Sequence, residues 1–117
     1  GTWQNQGVVL EADAGSDYEN RAVAQISVLE TDDGFRAWYG GYDTSQTDPG
    51  PWRILTAQSA DGITWNERQL ALDLTDLGEQ AWSVREPSVA LWRDTLWMAY
   101  IGMGDDGEYR LQVASCE

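Results

Sequence analysis

The sequence predicts an all-β fold: two four-stranded antiparallel propeller blades in one chain, with one blade divided between the chain ends. Three observations predict it. The chain repeats itself with a period of about 60 residues, near the blade length of propeller repeats. Each repeat carries four short, aromatic-rich runs separated by turn residues, as strands are. No segment carries a convincing helical stripe. A two-sheet sandwich explains short strands equally well, but it does not explain the repeat.

The repeat is read directly from the residues. "ISVLETDDGFRAWYGGYD" (Ile26–Asp43) aligns with "PSVALWRDTLWMAYIGMG" (Pro87–Gly104) at an offset of 61, so Ser27 falls on Ser88 and Tyr39 on Tyr100. "WRILTAQS" (Trp52–Ser59) aligns with "YRLQVASC" (Tyr109–Cys116) at an offset of 57, because the second copy has the shorter loop. "TWNERQLALD" (Thr64–Asp73) aligns with "TWQNQGVVLE" (Thr2–Glu11) at an offset of 62.

The elements follow in order. A first strand is expected at Gln25–Glu30 and again at Pro87–Trp92. The turn "TDDG" (Thr31–Gly34) follows, with "RDT" in the other copy, and Asp-Gly favours a hairpin whose turn positions need positive φ. The second strand is Phe35–Tyr42, or Leu96–Met103. The loop "DTSQTDPGP" ends it with Pro49, Gly50 and Pro51. The third strand is Trp52–Ser59, or Tyr109–Cys116. "SADG" turns into the fourth, Thr64–Leu72, with Thr2–Leu10 as its counterpart. "LTDLGEQAW" (Leu74–Trp82) reads as loop.

The chain is thus expected to be one domain over 1–117: residues 1–11 as strand four of a split blade, 24–73 as a complete blade, and 86–117 as strands one to three of the split blade. Two blades cannot close a ring, and an isolated pair leaves open sheet edges and apolar faces. The expected partner is therefore the chain itself. Strand four of one copy completes the blade of the next by head-to-tail contact, and a trimer of six blades is the favoured closed ring. The rival expectation is a piece of a longer five-bladed chain.

Composition narrows the function. The net charge is −13, which argues against nucleic acid and anionic membrane partners. There are seven Trp and five Tyr against one Phe, a set that offers flat apolar faces with polar edges. No apolar run approaches the ~18 residues of a membrane-spanning helix. No signal peptide is visible, and the residues assign no compartment. There is no histidine, which removes Ser-His-Asp and Cys-His catalysis and most zinc sites. The single cysteine, Cys116, rules out an intrachain disulfide. Asp32-Asp33-Gly34 and Asp105-Asp106-Gly107 do not continue into calcium-loop spacing and read as turns. No cofactor and no metal is expected.

The pattern "PSV…WMAYIG…YRLQVAS" together with "WRILTAQSADGITW" resembles the propellers of the arabinanase, invertase and β-mannoside phosphorylase type, which are five-bladed glycoside-acting enzymes. The matching residues are Trp38, Tyr39, Gly41, Ile54, Ala57, Ser59, Asp61, Gly62 and Trp65, and the likeness covers nearly the whole chain. The resemblance implies a central channel lined by carboxylates on the innermost strands. Arg85-Glu86-Pro87 looks like the Arg-Asp-Pro element of sucrose-cleaving relatives, with Glu in place of Asp. Glu86 is thus the one candidate catalytic group. The other copy has Ala24-Gln25-Ile26 there, without charge. The expected ligand-binding residues are Arg85, Glu86, Tyr18, Arg21 and Trp82. Tyr18 and Trp82 suit the apolar face of a sugar ring, and Glu86 is expected to pair with Arg85 or Arg21. A glycoside hydrolase needs two carboxylates ~5–9.5 Å apart, and only one is evident. The favoured expectation is therefore a carbohydrate-binding, glycosidase-like propeller without a full catalytic set. A hydrolase or transferase, and a purely structural or interaction protein, are the alternatives.

Overall fold

A computed structural model describes residues 1–74 and 81–117. Seven strands follow one another: β1 (Ala22–Thr31), β2 (Gly34–Tyr42), β3 (Trp52–Ser59), β4 (Asn66–Leu72), β5 (Ala81–Trp92), β6 (Thr95–Gly104) and β7 (Tyr109–Cys116). They form two antiparallel meanders, β1-β2-β3-β4 and β5-β6-β7. The fold is all-β, and the two sheets are arranged as adjacent propeller blades. β5, the first strand of the second blade, packs against β1, β2 and β3. The expected third strands match residue for residue, and both first strands begin earlier than expected. The middle of the expected loop, residues 75–80, lies outside the described residues.

Apolar alternation explains the packing. The core between the blades is built from Trp38 and Ile54 on one side and Val84, Val89 and Tyr100 on the other. Fully burying such a side chain stabilises by about 1.5–3 kcal/mol. Two serines tie the blades together as well. The Val89 N–H donates to Ser27 Oγ at 3.0 Å, and the Trp52 N–H donates to Ser83 Oγ at 2.9 Å. The opposite face of blade one carries a second cluster, Tyr39, Leu55 and Ala57, covered by Leu10, Tyr18, Val23 and Trp65.

The turns depart from the sequence expectation in one respect. Asp32 and Asp33 make the two-residue turn between β1 and β2 without positive φ, and Gly34 is instead the first residue of β2, with φ +132°. The glycine is needed because a Cβ there would lie 2.2 Å from the Ser59 carbonyl oxygen. In blade two the hairpin residues Arg93 and Asp94 do take positive φ, at 50° and 62°, with no glycine present. The "SADGITW" turn is held by two side chains. Asp61 Oδ1 accepts from the N–H groups of Ile63 (2.8 Å) and Thr64 (2.9 Å), while Ser59 Oγ accepts from Gly62 N–H at 2.8 Å. Trp65 Nε1 closes the turn on the Gly62 carbonyl at 3.1 Å.

Residues 1–11 form no strand within this chain. The strand expected at Thr2–Leu10 needs the free edge of β7, and the chain holds this segment elsewhere. Residues 12–21 are pinned to blade one, with the Arg21 N–H donating to the Tyr42 carbonyl at 3.0 Å and the Asp13 N–H to the Glu19 carbonyl at 3.0 Å. Arg68 Nη2 donates to the Glu11 carbonyl at 2.8 Å. Leu10 therefore lands on the face of blade one that points away from blade two.

Candidate functional site

The two innermost strands, β1 and β5, lie side by side and carry the same irregularity. The ladder between β1 and β2 shifts register between Ala24 and Ser27, and that between β5 and β6 shifts between Arg85 and Ser88. Gln25 and Glu86 occupy these bulges, 61 residues apart, and both take φ 59°. Neither is a glycine, so both backbones are strained, and such strain clusters at functional positions. The bulges also explain Pro87: at a bulge a residue without an N–H costs the ladder nothing. Both side chains are exposed, and they meet, with Gln25 Nε2 donating to Glu86 Oε1 at 3.3 Å.

The expected site residues divide into three places. Glu86 joins Gln25 on the inner strands. Among the described residues it makes no ion pair with Arg85 or Arg21, which corrects that expectation. Arg85 points to the other side of its strand, and its guanidinium lies over the Tyr109 ring, 5.2 Å from the centroid. Arg85 and Trp82 line a cavity of about 160 Å³ with Trp52, Ile101 and Tyr109. Tyr18 is half-buried on the far face of blade one, where the Arg53 guanidinium stacks on it at 5.4 Å. That packing role explains its burial. The Arg21 side chain is exposed.

Sequence reasoning missed two features. Gln25 carries no charge and gives no catalytic signal alone; its alignment with Glu86 is the signal that finds it. The other is a buried polar group. Glu19 is 1% exposed, accepts from the Tyr39 hydroxyl at 2.8 Å and is ion-paired with Arg68. Burial pushes the Glu19 carboxyl up, while Tyr39 and Arg68 pull it down, and the balance is a raised pKa. Burial and the Glu19 hydrogen bond raise Tyr39 above its usual value. Nothing local in the sequence announces a bond between residues 49 apart. A similar tie fixes the loop after β2. Asp43 is buried and lies 3.8 Å from Arg53 Nη1, and Arg53 Nε donates to Asp73 Oδ1 at 3.0 Å.

The fold and the paired inner-strand bulges place the chain among propeller-type proteins. Among solved structures the chain is similar to Zg3597, a family 117 glycoside hydrolase produced by the marine bacterium Zobellia galactanivorans. The TM-score is 0.71 at 20% identity, over 87% of this chain and 38% of that one. At that identity the likeness speaks to fold, and the chain spans well under half of that structure. No family model and no curated protein matches the sequence. Among the described residues no helix is long and apolar enough to cross a membrane.

Proposed function

We propose that the inner-strand bulges form a carbohydrate-binding site, with Glu86 and Gln25 as its hydrogen-bonding floor. The observation that carries this reading is the coincidence of the two bulges. Equivalent positions in both blades hold a strained, non-glycine residue, and the two side chains meet on the exposed inner edge. A carboxylate and an amide side by side offer acceptors and donors that match sugar hydroxyls. On the other side of β5, Arg85 and Trp82 line a separate aromatic cavity with a cation at its rim, which suits the apolar face of a further sugar ring. The likeness to a glycoside hydrolase fold supports the reading by analogy only. Arg21 and Tyr18 are outer candidates, and Tyr18 has packing work of its own.

The test is calorimetric titration of the protein with neutral oligosaccharides. Glu86→Gln and Trp82→Ala are each expected to weaken binding about tenfold, or 1.4 kcal/mol, while leaving the circular dichroism spectrum unchanged. Binding that survives both changes, or no binding at all, refutes the site. The second reading, glycoside hydrolysis, is favoured by the same strain at Glu86. It predicts release of reducing sugar that Glu86→Gln abolishes, and it needs a second carboxylate beside Glu86. Gln25 fills that place in the described chain, so binding is preferred.

A further inference from the structure

The two blades share the positions that their fold demands, so a residue kept in only one of them is not demanded by the blade itself. Ser27 and Ser88, Tyr39 and Tyr100, and the bulges at Gln25 and Glu86 occur in both. Arg85 and Trp82 do not: their counterparts are Ala24 and Arg21. These two line one cavity of about 160 Å³, whose walls come from both blades.

Blade one supplies an aromatic wall that is already in place. Tyr42 and Trp52 stack with ring centroids 5.1 Å apart and planes 23° from parallel. The Tyr42 hydroxyl accepts from the Gly50 N–H at 3.2 Å, and the Trp52 N–H donates to Ser83 Oγ at 2.9 Å. Blade two adds Trp82, Ile101 and Tyr109, with the Arg85 guanidinium over the Tyr109 ring. A volume of about 160 Å³ lies below the ~300–1,000 Å³ of sites for drug-sized ligands, so it suits a single ring.

The charge of this cavity runs against that of the chain. Acidic residues outnumber basic ones 20 to 7, yet among the described residues the lining holds no carboxylate, and its cation is Arg85. Arg53, Arg68 and Arg110 are each ion-paired within the chain. Among the described residues Arg85 has no ion pair and donates no hydrogen bond; its contact is the flat face of Tyr109. A guanidinium stacked in this way keeps its in-plane N–H groups available, and their fork matches an oxyanion that offers two oxygens. Glu86, next in sequence, is engaged by Gln25 at the inner edge.

We propose that this cavity takes a sugar residue bearing a carboxylate or a sulfate, with its ring on the aromatic wall and its anionic group on the Arg85 fork. The proposal rests on the carbohydrate-binding reading above and adds the class of sugar. A net charge of −13 disfavours anions in general, so a preference for an anionic sugar has to come from this local cation.

The experiment is calorimetric titration at neutral pH and constant salt. The probes are trimers of galacturonate, mannuronate and guluronate, each beside its methyl ester, which keeps the ring and removes the charge. At least one acid is expected to bind about tenfold more tightly than its ester. A sulfated trisaccharide of neutral sugars, run against its desulfated form, tells sulfate from carboxylate as the anionic group. Arg85→Gln is expected to abolish the difference between charged and uncharged probes. Arg85→Lys, which keeps the charge without the planar fork, is expected to retain part of it. Circular dichroism checks that both variants fold. Equal affinity within every pair in the unaltered chain overturns the proposal and leaves the carbohydrate reading standing. A preference that survives Arg85→Gln also overturns it, since another cation would then hold the anion. No binding of any probe removes the carbohydrate reading and this proposal with it.

Discussion

Blade one and blade two are built from the same pattern, yet equivalent residues live in opposite environments. Ile54 is 0% exposed and its counterpart Leu111 is 77% exposed; Thr56 is 5% and Val113 is 62%. The polar member of the second pair is the buried one, because its hydroxyl donates to the Ala37 carbonyl at 2.8 Å. Strand chemistry is therefore set by the repeat, while burial is set by whether a neighbouring blade is present. The difference teaches that a blade is a half-finished object: its meander closes its own backbone bonds, but its two faces need neighbours.

The sharpest way to test this comparison is to truncate matched positions. Ile54→Ala is expected to cost about 2–5 kcal/mol in urea unfolding, through lost burial and the cavity left behind. Leu111→Ala in a dilute, isolated chain is expected to stay within about 0.5 kcal/mol. Equal losses at both sites, at a concentration where the chain is monomeric, would break the comparison. A Leu111→Ala loss that grows with protein concentration would sharpen it, because the face would then be buried by association.

A second matched pair is Gly34 and its counterpart Thr95. Gly34 has to lack a side chain because the backbone of Ser59 and Ala60, at the turn towards β4, crosses it closely, whereas Thr95 carries its side chain half-buried at the start of β6. Gly34→Ala is expected to cost about 1–3 kcal/mol through forced backbone movement. Thr95→Ala is expected to cost under about 0.5 kcal/mol. Thermal unfolding of the two variants side by side decides it.

The matched tyrosines give a smaller contrast. Tyr39 donates to buried Glu19, and Tyr100 has no hydrogen-bond partner for its hydroxyl among the described residues. Tyr39→Phe removes one of the few groups that compensate a buried carboxylate, at about 1–3 kcal/mol. Tyr100→Phe is expected to be neutral within about 0.5 kcal/mol. A neutral Tyr39→Phe would mean that Arg68 alone satisfies Glu19.

These pairs also mark how far the sequence could be read. Strand identity and order were legible because turn chemistry and the aromatic runs are local signals, and the repeat supplied each strand twice. The third strands agree to the residue. The fourth-strand reading of Thr2–Leu10 was drawn from pattern alone, and pattern does not say which edge is within reach. The pinned loop at Asp13–Arg21 decides that within one chain. Of the site, Glu86 was found through its motif, but its partner was misjudged. The expected ion pair with Arg85 or Arg21 is absent among the described residues: Arg85 turns to the Tyr109 ring and leaves Gln25 as the neighbour of Glu86. Glu19 was invisible because its role depends on Arg68 and Tyr39 arriving from two other strands.

The finest contrast is between two carboxylates whose pKa values move in opposite directions. Glu19, buried on blade one, is raised above its usual 4.5 by desolvation. Its folded form holds a proton that the unfolded chain has already released, so this group makes stability fall as pH climbs from about 4.5 through its raised value. Asp106, exposed at the end of blade two, is held down to about 2 by hydrogen bonds from Arg110, first, and from the Glu108 N–H. Its contribution is complete above the usual 3.8 and is lost as pH falls toward about 2. Urea titrations across pH should therefore show Glu19→Gln flattening the slope above the carboxylate range and Asp106→Asn flattening only the acid limb. The Asp106 effect is the smallest of all, since an exposed pair is screened by solvent and should fade further in high salt. If Glu19→Gln instead steepens the loss at higher pH, the Arg68 pair outweighs burial, and blade one is held at that corner by charge rather than despite it.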